Sequence, residues 1–144
     1  MDKHLKFLEI LMRVAETTEH TFRARHAAGI VFNGEFLGIG VNQKKSHPFQ
    51  SRFMSNEFSI FLHSETDAIK NALKRYPAAL EDLKKSTLYI ARIKYDKDRS
   101  RTTWGLSRPC SGCLRAITTF EIPRVVYTLD IPNRYEEYWA PDSK

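Results

Sequence analysis

Cysteine is nearly absent from this sequence, with 2 among 144 residues. That excludes a scaffold stapled by several disulfides. The two are close together, in Cys110-Ser111-Gly112-Cys113, and the opening Met1-Asp2-Lys3-His4-Leu5 lacks the basic-then-apolar order of an export signal. Both observations favour metal or redox use over a structural disulfide. A second paired knuckle of cysteines is missing, which excludes a zinc ribbon. No apolar run has the unbroken length of a membrane span, so a cytoplasmic protein without membrane contact is expected. Internal repeats and low-complexity tracts are also lacking. With 42% hydrophobic residues in 144, the simplest organisation is a single domain over 1–144 with a real core. Acidic residues are outnumbered, 17 against 23 basic, and the net charge of +6 favours anionic ligands. Charge alone does not separate a small phosphate from a nucleic-acid backbone.

What is present reads as alternating helices and strands. Residues 2–20 carry Leu5, Leu8, Leu11, Met12 and Ala15 at helical spacing with charged residues between them. Residues 27–32 and 36–41 read as two strands joined by Asn33-Gly34, the pair whose tolerance of positive φ suits a two-residue hairpin. A polar, irregular tract with Pro48 covers 43–59. Residues 62–76 read as a helix with Ile69, Ala72 and Leu73 inward, ended by Pro77. Residues 86–94 make a third strand, 95–106 a charged loop, 111–120 a helix and 124–128 a fourth strand. The last 16 residues hold Tyr135, Tyr138 and Trp139, read as a short helix.

The chemistry lies in two places, His63-Ser64-Glu65 and Pro109-Cys110-Ser111-Gly112-Cys113. H-x-E arises cheaply by chance; P-C-x-x-C does not in a chain with 2 cysteines. His63, Cys110 and Cys113 would supply three protein ligands to a catalytic zinc and leave a fourth place for water. Zinc lowers the pKa of such a water toward neutrality. Glu65, two residues beyond His63, could reach that water without ligating the metal and move its proton to a ring nitrogen and a leaving amine. Both motifs fall at helix starts, whose partial positive charge favours thiolate and hydroxide.

The stretches 62–69 and 107–117 resemble the two zinc motifs of the cytidine deaminase superfamily, H-x-E followed by P-C-x-x-C, and most of all its deoxycytidylate deaminase branch. Gly38-Ile39-Gly40-Val41-Asn42 is similar to the family strand that ends in a sugar-binding Asn, and 45–50 is similar to small phage-encoded members. The resemblance implies an α/β fold, a three-layer α/β/α sandwich with a mixed sheet of four to five strands. A fifth strand has little room in the sequence pattern. It also implies Zn2+ as cofactor, His63, Cys110 and Cys113 as ligands, and Glu65 as proton shuttle. Backbone N–H groups at Ser64 and Cys110 would hold the base and attacking hydroxide, Asn42 the sugar, and the Arg108 carbonyl the leaving ammonia. Homo-oligomers are the family habit. Ser64 stands where Ala is commoner, and Thr66-Asp67 follow Glu65 where Glu-Asn is frequent.

Other residues carry weaker signals. Asn42 could simply turn the strand end. Lys44, Lys45 and Arg52 are a solvated face or phosphate contacts, and the Arg108 side chain could also reach a phosphate. His26 reads as packing or surface, and His47 as a turn residue or a pocket wall. Trp104, Phe49 and Phe53 read as core more readily than as base-stacking platforms. The leading expectation is a deaminase of a small-molecule cytosine nucleotide, dCMP or CMP. Behind it stand a nucleic-acid base deaminase (tRNA adenosine or single-stranded cytosine), a deaminase of another amino-heterocycle such as guanine, and a zinc-holding module without activity, against which the presence of Glu65 counts.

Overall fold

The computed structural model describes residues 2–17, 24–43, 47–53, 61–95 and 101–139. Helix α1 (Lys3–Thr17) buries Leu8, Leu11 and Ala15, the stripe that helical spacing places on one face. Strands β1 (Ala24–Phe32) and β2 (Glu35–Val41) form the expected hairpin. Its turn residues Asn33 and Gly34 have φ of 51° and 79°, the left-handed pair this turn demands. A short helix α2 (Pro48–Ser51) precedes α3 (Ser64–Ala72), which tightens into a 3-10 turn at Leu73–Arg75. Then come α4 (Ala78–Leu83), β3 (Thr87–Tyr95), β4 (Thr102–Gly105), α5 (Ser111–Thr119), β5 (Arg124–Thr128) and β6 (Tyr135–Trp139).

The sheet runs β2-β1-β3-β5-β6, with β4 paired to β3; it is mixed because β3 and β5 are parallel while the other pairs are antiparallel. Alternation along β3 divides the core. Leu88 and Ile90 face a cluster with Ala68, Ile69, Ala116 and Ile117 of α3 and α5. Tyr89, Ala91 and Ile93 face Leu8, Leu11 and Ala15 of α1. Three layers result, as expected, but with 6 strands where four to five were expected. The two additions correct the sequence reading. β4 lies in the tract read as a charged loop, and β6 forms where a short helix was expected. β6 is an edge strand whose residues are mostly exposed, so no apolar alternation marks it. The helix expected over 62–76 stops at Ala72, and α4 went unforeseen because its six residues are too few to show a period.

Close packing fixes α3 on the sheet. A Cβ at Gly38 would stand 2.6 Å from the Ala72 nitrogen, and one at Gly40 would fall inside the α3 backbone at Ala68. Asn71 Nδ2 donates to the Ile39 carbonyl at 2.7 Å, and Asp67 Oδ2 accepts from the Val41 N–H at 3.0 Å and from Gln43 Nε2 at 3.1 Å.

Candidate metal centre and active site

Each motif helix begins at a ligand residue. His63 immediately precedes α3, and Cys110 immediately precedes α5. Cys110 Sγ accepts from the Cys113 N–H at 3.5 Å and so caps its own helix. The His63 ring makes no cap bond. It turns instead to the sulfurs, with Nδ1 3.3 Å from Cys113 Sγ and 3.7 Å from Cys110 Sγ. The ligand atoms of His63, Cys110 and Cys113 lie within 4.8 Å of one another, and they are the one such cluster among the described residues. One imidazole nitrogen and two sulfurs suit zinc, and three protein donors leave one coordination place over.

The hydrogen bond with Cys113, aided by that with His63, takes the Cys110 thiol down to about 3 against the effect of burial. Cys113 is driven well above its ordinary value by the same bond to Cys110 and by burial. His63 is raised, chiefly by its bond to Cys110. Cys110 is thus the sulfur that carries negative charge, between two helix starts and beside a His63 whose protonated form it favours.

Glu65 is buried at 6% exposure, and burial raises its carboxyl above the ordinary range. The His63 charge and a hydrogen bond from Ser64 Oγ to Glu65 Oε1 at 2.8 Å act in the opposite direction. The serine hydroxyl, an unusual feature of the motif, is therefore spent on the carboxylate.

The approach to α5 is pinned by a buried network. Ser107 Oγ donates to the Ile90 carbonyl at 2.9 Å and accepts from the Thr128 N–H at 2.9 Å. Thr128 Oγ1 donates to the Gly105 carbonyl at 2.6 Å. These bonds tie the segment before Cys110 to β3 and β5. Arg108 follows at the surface, where its Nε donates to Tyr127 Oη at 3.2 Å and its guanidinium lies 3.4 Å from Glu136 of β6.

A cavity of about 290 Å³ opens over the cluster. His63, Ser64, Glu65, Ser107, Arg108 and Cys110 of the two motif segments line it, together with His26, Asn42, Gln43, Phe61 and Leu62. Asn42 stands at its wall, with Oδ1 accepting the His26 N–H at 2.9 Å. Lys44 and Lys45 lie outside the described residues, and Arg52 stacks near Phe49 and Phe53 rather than on the cavity. Phe49 and Phe53 pack with Phe120, and Trp104 is buried elsewhere, so none is a stacking platform here. His47 is a turn residue that caps α2. His26 is a correction, since it lines the cavity. Ala28 and Ile30 face the α3 side, and a residue two positions earlier shares that face. Phe61 had no local signal, and Gln43 and Gln50 were marked only as members of the polar tract 43–59 and, for Gln50, of the stretch 45–50.

Comparison with known proteins agrees with this geometry. The model of the cytidine and deoxycytidylate deaminase zinc-binding region matches residues 1–129. The chain belongs to that deaminase family. This deaminase is a zinc-dependent hydrolase, and its three-donor cluster is the place that could hold the zinc. It shares its fold with a cytidine deaminase from Burkholderia pseudomallei, at a TM-score of 0.63 and 15% identity over 98% of both chains. The dCMP deaminase of cyanophage S-TIM5, in its apo form, is similar at a TM-score of 0.48 and 21% identity, over 88% of this chain and 79% of that one. No curated protein matches the sequence. Among the described residues no helix is long and apolar enough to cross a membrane.

Proposed function

We propose that this deaminase, acting as one catalytic unit, converts a free cytosine nucleotide, dCMP or CMP, and water to the uracil nucleotide and ammonia. The observation that carries the reading is the buried Glu65 carboxylate on the wall of a cavity that it shares with His63 and Cys110. Zinc, when bound, supplies hydroxide near neutral pH by acidifying a water. Glu65 would carry two protons in turn: one from the attacking water to the ring nitrogen, then one from the hydroxyl added to the ring to the amine, which leaves as ammonia while the C=O bond forms. The Ser64 and Cys110 N–H groups, at or next to the two helix starts, orient the base and the attacking oxygen. Asn42 takes the sugar, and the Arg108 carbonyl receives the ammonia. Arg108 lines the cavity, and its side chain, which meets Tyr127 and Glu136 in this structure, would turn to a phosphate, with Lys44 as a further phosphate contact. The similarity of 62–69 and 107–117 to the deoxycytidylate deaminase branch, and of 45–50 to its small phage-encoded members, supports a place in that branch. In this reading the enzyme works in the cytoplasm as a homo-oligomer.

The test is ammonia release from zinc-loaded protein offered CMP, dCMP, dCTP, cytidine, guanine, a tRNA pool and a single-stranded oligonucleotide. Turnover of dCMP or CMP is expected. Turnover confined to tRNA or the oligonucleotide overturns the reading. The net charge of +6 is the observation that favours that second reading, and binding would then weaken steeply with salt.

A further inference from the structure

The start of a helix leaves backbone N–H groups without partners, and the residue just before it usually supplies an acceptor from its own side chain. His63 holds that position in α3, but its ring faces the sulfurs and caps nothing. The acceptor comes from another element. Gln50 of α2 is fully buried, and its Oε1 accepts the His63 N–H at 3.0 Å together with the Thr66 hydroxyl. Its Nε2 is buried and has no hydrogen-bond partner among the described residues. A methionine would fill the same space and remove the unpaired Nε2, but it would take the acceptor away from the His63 N–H. The value of the residue therefore lies in its oxygen.

The segment that carries Gln50 also grips the second motif helix. The Phe53 carbonyl accepts from Arg115 Nε of α5 at 2.8 Å, and the Phe49 ring stacks on Phe120 at 5.8 Å between centroids. Residues 47–53 are thus bonded both to the start of α3 and to the side of α5, the helices that begin at His63 and Cys110. We propose that Gln50 is a positioning residue for the metal centre: by holding the His63 backbone it sets the imidazole against the cysteine pair and so sets the affinity for zinc. The inference rests on the reading of His63, Cys110 and Cys113 as zinc ligands.

Zinc dissociation constants, measured by competition with a chromogenic chelator on chains shown to be folded by circular dichroism, test it. Gln50→Met should bind zinc about ten- to a hundredfold more weakly, the usual effect of losing a group that orients a ligand. Gln50→Glu keeps an oxygen at the same reach and should stay closer to the unaltered chain. Less than a tenfold loss in Gln50→Met, or an equal loss in Gln50→Glu, overturns the proposal. Should Gln50→Met not fold, Gln50→Asn, one methylene shorter, replaces it with the same threshold. If the unaltered chain itself fails to bind zinc, it is the metal reading that falls.

Discussion

At the scale of single residues, the site divides carboxylate chemistry from metal binding. Glu65 is not one of the three clustered donors, so Glu65→Gln should retain zinc. Turnover should fall by at least about a hundredfold, the lower range for a lost general acid-base group. Metal analysis beside an ammonia assay checks both halves. Ser64→Ala removes a donor to the charged form of Glu65. Burial then acts with less opposition and the carboxyl moves further up. The active, deprotonated form is lost at a higher pH, so the acid limb of kcat/KM should shift upward, as a pH-rate profile would show. The gathering of His63, Cys110 and Cys113 was legible because each motif is contiguous. Gln50 and His26 were not, because a glutamine 13 positions before its partner and a histidine in a small-residue strand form no local pattern.

At the scale of elements, the depth at which α3 sits decides whether His63 meets the cysteines. Two strand glycines set that depth. Gly40→Ala drives a methyl into the α3 backbone, and overpacking of this kind typically costs about 1–3 kcal/mol. Urea melting should show that loss, and zinc affinity should fall with it because α3 carries the imidazole. The hairpin turn was legible since Asn33-Gly34 is nearly diagnostic, as were α1 from its helical period and β3 from its run of β-favouring residues. β4 and β6 were not. The partner of β4 lies across a charged tract, and the exposure of β6 removes the apolar-polar alternation by which strands are read. Pairing to β5, a tertiary property, makes Tyr135–Trp139 a strand.

For the whole molecule, the sheet and its two motif helices bring residues 47 to 50 positions apart in sequence to a single point. An ion held there by the folded chain alone stabilises it, by about 4 kcal/mol at a thousandfold excess over the dissociation constant. Removing zinc with a chelator should lower Tm in a calorimetric scan. Cys110→Ala should start from a lower Tm and show little further change on chelation. The family resemblance carried the three-layer architecture at the outset, because it rests on the arrangement of elements around the motifs. The strand count lay beyond it, because edges of a sheet vary without disturbing its centre.

The two sulfurs differ in one respect that reaches beyond binding. Cys110 is exposed and its thiol strongly acidic, whereas Cys113 is buried. An alkylating reagent therefore meets them in a fixed order, and the first adduct suffices to spoil the cluster. Metal shields that first sulfur, so the fraction of chains that take up a label becomes a direct gauge of occupancy.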